Sequence, residues 1–174
     1  MKESVVGIVH SRLEAENLVN ALRSSGFVEN NISALFPDKE GSKDFAHDNS
    51  TKAPEGAVAG AGTGGVIGGT LGLLAGIGAL AIPGVGPLIA AGPIMAALSG
   101  AAVGATVGGV SGALIGMGIP EYEAKMYEGK IRDGNILIAV HCVNGDECKR
   151  AEESFKANQA SDIHRVGESA VNKK

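Results

Sequence analysis

The chain has 174 residues, 20% of them charged, and a formal net charge of −4. That length suits one domain or a domain with an insert. The mild acidity, with no basic stripe to replace counterions on phosphates, excludes a nucleic-acid partner. The averages conceal a partition: all 34 charged residues lie in 1–56 or 121–174, while 57–120 has none and holds 19 of the 27 glycines.

The N-terminus, MKESVVGIVHSRLEAE, has no long apolar run leading to a small-residue cleavage site, so no export signal is expected. Ser4–His10 is apolar and β-branched and reads as a buried strand. Ser11 and Glu14 have the spacing of a capping box at the start of a helix. Ala15, Leu18, Val19 and Leu22 fall on one face of it, and Gly26 closes it. Asn31–Pro37 reads as a second strand, so the first arm is β-α-β.

The central block carries glycines at an exact spacing of four. Gly60, Gly64, Gly68, Gly72 and Gly76 form one run; Gly100, Gly104, Gly108, Gly112 and Gly116 form another. The pattern reads as a tandem glycine zipper folded back at Pro83–Pro93, with all ten glycines as helix–helix contact surface. In water, five interior glycines would cost a helix roughly 4–5 kcal/mol relative to alanine. In a bilayer the backbone must bond internally, and small residues let helices approach closely. Helices over 57–82 and 94–118 would each be about 37–39 Å long, enough for a core of about 30 Å. The expectation is therefore a membrane-inserted helical hairpin over 57–118. The alternative is that the zipper helices form the buried core of a soluble homo-oligomer. Tyr122 and Tyr127, just beyond the second run, stand where interfacial anchors would sit, or else pack on the domain.

After the block, Pro120 suits a first helical turn. Glu121/Lys125 and Glu128/Arg132 are favourable i,i+4 pairs, and Gly134 ends that helix. Asn135–Cys142 is the most strand-like segment of the chain. GDECKRAEESFKANQ reads as a helix burying Cys148, Ala151 and Phe155, Asp162–Val166 as a short last strand, and 168–174 as a loose tail. Neither arm has enough strands to be stable alone. Residues 1–48 and 120–167 are therefore expected to combine into one α+β domain of ferredoxin-like β-α-β/β-α-β order, interrupted by the glycine-zipper hairpin.

Two stretches, SVVGIVHSRLEAENLVNALRSSGF and GIPEYEAKMYEGKIRDGNILIAVHC, together with the glycine-zipper insert, resemble the bacterial general stress protein family. Its members are often labelled heat-induced or low-temperature-induced stress proteins. The resemblance implies a stress-associated, often membrane-associated bacterial protein; it supplies no reaction and no catalytic residues.

Candidate chemistry is sparse. Gly60-x-Gly62-x-x-Gly65 has dinucleotide-fingerprint spacing but follows no strand and has no acid about 20 residues on. His141, Cys142 and Cys148 are zinc- or copper-type donors at a spacing that matches no standard metal motif. The two cysteines are expected as reduced core thiols in a cytosolic compartment. His164 could approach His141 across the sheet. Glu152 and Glu153 read as a solvated helix face, and His10 and His47 have no partner that the sequence identifies. The reading that results is a non-enzymatic protein with no catalytic residues, cofactor or metal, self-associating as a homo-oligomer. It is anchored in the lipid bilayer of the cytoplasmic membrane with both arms in the cytosol. A cytoplasmic homo-oligomer, or a small-ligand or metal-sensing module, is the alternative.

Overall fold

The computed structural model describes residues 3–37, 78–82, 86–94 and 109–167, which form an α+β fold. The strands are β1 (Glu3–Val9), β2 (Ile32–Pro37), β3 (Gly78–Ile82), β4 (Gly86–Ala91), β5 (Ile136–Cys142) and β6 (Ser161–Gly167). The helices are α1 (Arg12–Ser24), α2 (Gly109–Gly116), α3 (Glu121–Arg132) and α4 (Gly145–Ala157), with a 3₁₀ turn at Glu29–Asn31 before β2.

Local chemistry sets the helix ends. Ser11 Oγ accepts the Glu14 N–H, and the Glu14 carboxylate reaches back to the His10 N–H at 2.8 Å. Helix α4 repeats the device: Asn144 Oδ1 accepts the Glu147 N–H, and Glu147 accepts from Val143 N–H at 2.8 Å. Each pairing satisfies two amides that the first helical turn leaves without a partner. These four helices close with the amide of the third residue past the end bonded back five residues: Phe27 to Leu22, Ile119 to Leu114, Asn135 to Lys130 and Ala160 to Phe155. Glycine holds the left-handed position in the first three; in α4 it is Gln159, at φ +61°.

The six strands form one sheet in the order β3-β4-β2-β5-β1-β6, every neighbouring pair antiparallel. Strands from both arms interleave at its centre. Alternating side chains send Val5, Val9, Ile138 and Val140 to one face, where they pack with Leu18, Leu22 of α1 and Ala151, Phe155 of α4. Val6, Ile8, Leu137 and Ala139 go to the other, against Leu114 of α2 and Ala124, Tyr127, Ile131 of α3. The sheet is thus covered by helices on both faces.

The central block departs from its expected structure. Gly78–Ile82, read as the end of the first zipper helix, is strand β3. Most of the expected turn is strand β4, and the two pair as a hairpin that β4 joins to β2. The reason is two-sided burial. Leu88 and Ala90 enter one core and Ile89 and Ala91 the other, so the segment is apolar throughout and has no period to separate strand from helix. Of the expected 94–118 helix, residues 94 and 109–118 are described, and α2 covers eight of them, or about 12 Å at helical rise. No helix among the described residues is long and apolar enough to cross a membrane. The placement in the cytoplasmic membrane by a spanning hairpin is corrected accordingly. Of the two readings of the tyrosines, packing on the domain holds for Tyr127, which is fully buried, whereas Tyr122 is exposed. The remainder of 57–118 and the 168–174 tail lie outside the described residues.

Candidate functional site

The densest polar arrangement lies along the seam between α3 and β6. Opposite β1, Ser161 pairs with Ile8 and His164 with Val6, so two residues of β6, Asp162 and Ile163, face the single residue Gly7. This bulge carries Asp162 at φ +50°, a left-handed conformation that Asp tolerates better than most residues. It turns the Asp162 carbonyl toward α3, where Tyr127 Oη donates to it at 2.7 Å.

That single phenolic proton fixes a second one. His164 Nδ1 lies 2.8 Å from Tyr127 Oη and 3.1 Å from the Asp162 carbonyl. The carbonyl can only accept, and the phenol has already donated, so Nδ1 carries a proton and donates. The rings meet edge to face, centroids 6.0 Å apart. One turn along α3, Lys130 Nζ pairs with the Asp162 carboxylate at 3.0 Å; its hydrogen bond holds the Asp162 carboxyl below its ordinary range. One turn the other way, Glu123 has a buried Oε2 with no hydrogen-bond partner among the described residues. Burial first, then the charges of Glu123 and Asp162, push the Tyr127 phenol well above its ordinary range. A phenol so held is a neutral donor rather than a proton-transfer group, and the seam's chemistry is to clamp β6 onto α3.

A second cluster lies on the opposite face. Cys142 ends β5 and Cys148 stands in the first turns of α4; both are free and buried. Cys142 Sγ donates to the Val140 carbonyl at 3.8 Å, and Cys148 Sγ to Glu3 Oε2 at 3.3 Å. Arg165 lies 3.9 Å from that carboxylate and bonds Glu152 at 2.9 Å. Burial raises both thiols; for Cys148 the neighbouring Cys142 thiol and the bond to Glu3 add to it. Buried thiols kept protonated are poor nucleophiles and poor metal ligands.

The expected donor set is therefore divided. Cys142 and Cys148 meet, but His141, one residue along the strand, faces the other way and hydrogen-bonds Ser4 Oγ through Nδ1 at 2.7 Å. Strand β1 runs between His141 and His164. Among the described residues no group of three or more His, Cys, Asp or Glu could hold a metal ion. His10, without an identified partner in the sequence, bonds Asn135 Oδ1 at 2.9 Å and Ser161 Oγ at 3.3 Å. Glu152, read as solvated, pairs with Arg165. Of the ten zipper glycines, Gly112 and Gly116 are on α2. Gly112 is half-buried, and Gly116 is exposed, with none of the described residues within 4 Å of where its Cβ would be. Gly60, Gly64, Gly68, Gly72, Gly76, Gly100, Gly104 and Gly108 lie outside the described residues, as do Gly62, Gly65 and His47.

Sequence reasoning missed the Tyr127–Asp162–His164 clamp and the Ser4–His141 pair. No local signal marks the first, whose bulge forms only when β6 lies beside Gly7; the second follows only from the strand register. Compared with known proteins, the chain matches no family model, no curated protein and no solved structure.

Proposed function

We propose that this chain is a non-enzymatic, self-associating structural protein, in which a small α+β domain presents a glycine-repeat segment for assembly with further copies. The carrying observation is that the middle of the charge-free block is stitched into the domain sheet as β3 and β4. The glycine runs flank this hairpin in sequence, on either side of a segment that belongs to the folded unit. Their spacing of four is the pattern of close helix contact, and Gly116 has none of the described residues against it. Setting the hairpin aside, the strand order β2-β5-β1-β6 supports a ferredoxin-like reading of the two arms, with α2 and α3 covering the face that fold often leaves open. The stress association implied by the family resemblance belongs to the same proposal. A small-ligand or metal-sensing role is less well supported, because the described residues offer no donor set.

Sedimentation equilibrium on the full chain at several concentrations tests the proposal. A mass above the 17.5 kDa of one chain is expected, together with a smaller or altered assembly for Gly68→Leu and Gly108→Leu. A monomer at all concentrations sinks the reading; an oligomer unchanged by both substitutions removes the zipper from it.

A further inference from the structure

Helix α4 starts on the dipeptide Asn144–Gly145, and every other asparagine of the chain is followed by a residue with a side chain. The pairing matters because an asparagine carries its own electrophile. The amide nitrogen of the next residue can attack the side-chain carbonyl carbon and close a five-membered ring, and only glycine leaves that approach unhindered. Asn144, Gly145 and Asp146 are exposed, so water reaches the site. In the folded chain, however, the ring is held open. Closure needs the Asn144 Cβ and the Gly145 nitrogen eclipsed about the Cα–C bond, whereas a ψ of 169° keeps them staggered. The side chain is engaged as well. Asn144 Oδ1 accepts the Glu147 N–H at 2.9 Å, and Glu147 accepts from the Val143 N–H at 2.8 Å. The capping box that starts α4 is thus the lock on this reaction.

We propose that Asn144 is a self-modification site gated by the first turn of α4. When that turn opens, the Gly145 nitrogen bonds to Asn144 Cγ and the Cγ–Nδ2 bond breaks. Nδ2 leaves as ammonia, taking the Gly145 amide proton with it. Water then opens the succinimide at either carbonyl. One product is aspartate, which restores the original main chain and caps a helix as well as asparagine does. The other is isoaspartate, in which the main chain runs through Cβ and Cγ and gains a methylene. Its free carboxylate is displaced from the capping position, and the reciprocal bonds with Glu147 are lost. Cys148 stands in the same first turns, buried and donating to Glu3 Oε2 at 3.3 Å, so the isoaspartyl form exposes its thiol. The inference goes beyond the self-association reading and does not depend on it.

Ageing the full chain at mildly alkaline pH, folded and in urea, tests it. Conversion is followed by peptide mass mapping and by enzymatic methylation specific to isoaspartate. In urea, Asn144 is expected to convert ahead of every other asparagine. In the folded chain its conversion should be slower by on the order of tenfold or more. Glu147→Ala should reduce that folded-state protection about fivefold by removing half of the cap. Glu153→Ala, on the exposed face of α4, should leave it unchanged. Circular dichroism checks that both variants are folded. Thiol labelling of Cys148 should rise in proportion to isoaspartate in aged folded protein. Asn144→Asp carries the new charge without the lengthened main chain and should label as slowly as the wild type. No preference for Asn144 in urea overturns the site. Equal rates in the folded and unfolded chains overturn the gate. Labelling as slow in isoaspartate-rich protein as in fresh protein overturns the link to Cys148.

Discussion

Gly92 lies against the backbone carbonyl of Ile32 so closely that residue 92 has no room for a Cβ. It also sits at φ +76°, where the chain leaves β4 and turns across the start of β2. Ile94 then donates its N–H to Ser33 Oγ at 3.2 Å. This crossing fixes the β3–β4 hairpin to the domain. Gly92→Ala meets both a left-handed strain of about 1–2 kcal/mol and an overpacking cost of about 1–3 kcal/mol, and the obstacle is backbone, which cannot rotate away. Gly26, at φ +94° with none of the described residues within 4 Å of a Cβ there, isolates the strain alone. Urea unfolding should show Gly92→Ala losing clearly more stability than Gly26→Ala. Equal losses would mean that the crossing is not tight.

Gly7 is the second close approach. A Cβ there would stand 2.7 Å from Cδ1 of the Phe155 ring, which is fully buried between α4 and the sheet. Gly7→Ala should cost about 1–3 kcal/mol. Phe155→Leu should cost stability alone yet recover part of the Gly7→Ala loss, giving a coupling of about 0.5–3 kcal/mol in a double-mutant cycle. Additive losses would place the two residues out of contact.

Gly129 gives the opposite sign. It lies inside α3 at an ordinary helical conformation, with none of the described residues within 4 Å of where its Cβ would be. Gly129→Ala should therefore stabilise the protein by about 1 kcal/mol through helix propensity and a less flexible unfolded chain. A measured loss would reveal a contact on that face of α3.

What the sequence displayed was chemistry between near neighbours. The Ser11–Glu14 and Glu121–Lys125 pairs, Gly26 and Gly134 at helix ends, and the apolar run Ile136–Val140 each signal through residues a few positions apart. The β3–β4 hairpin did not, because Leu88–Ala91 is buried on both faces and has no alternation to read. The Tyr127 clamp did not, because it joins residues 35 and 37 positions apart through a bulge that exists only once β6 lies beside Gly7. His141 and Cys142, adjacent in sequence, suggested one donor set and belong to opposite faces of the sheet.

The cysteines should behave as a protected pair. Labelling by a thiol reagent in the folded state is expected to be slow for both Cys142 and Cys148 and complete on unfolding, because burial and, for Cys148, the Glu3 carboxylate oppose the thiolate. Fast labelling of either at neutral pH would contradict the buried pair. Glu3→Gln weakens the acceptor of the Cys148 proton and should speed labelling of Cys148 more than of Cys142.

Tyr127 and the two thiols also set how stability responds to alkali. All three have folded-state pKa values above their ordinary ones, near 9 for thiols and 10 for the phenol. Below those ordinary values both states are protonated and the stability from these groups is fully present. Above them the unfolded chain releases protons that the folded chain keeps, so each group lowers stability by about 1.4 kcal/mol per pH unit until its folded pKa is reached. The loss should begin near pH 9 through the thiols and steepen near pH 10 through Tyr127. Replacing both cysteines by Ala should remove the first stage. Tyr127→Phe should remove the second, at a cost of about 0.5–1.5 kcal/mol at neutral pH for each hydrogen bond the phenol gives up, since Asp162 and His164 keep each other as partners. In a Tyr122→Phe background Tyr127 is the only tyrosine, and its absorbance change on ionisation should coincide with loss of the fold. Ionisation near pH 10 in a chain that remains folded would show that the phenol is not held in the seam.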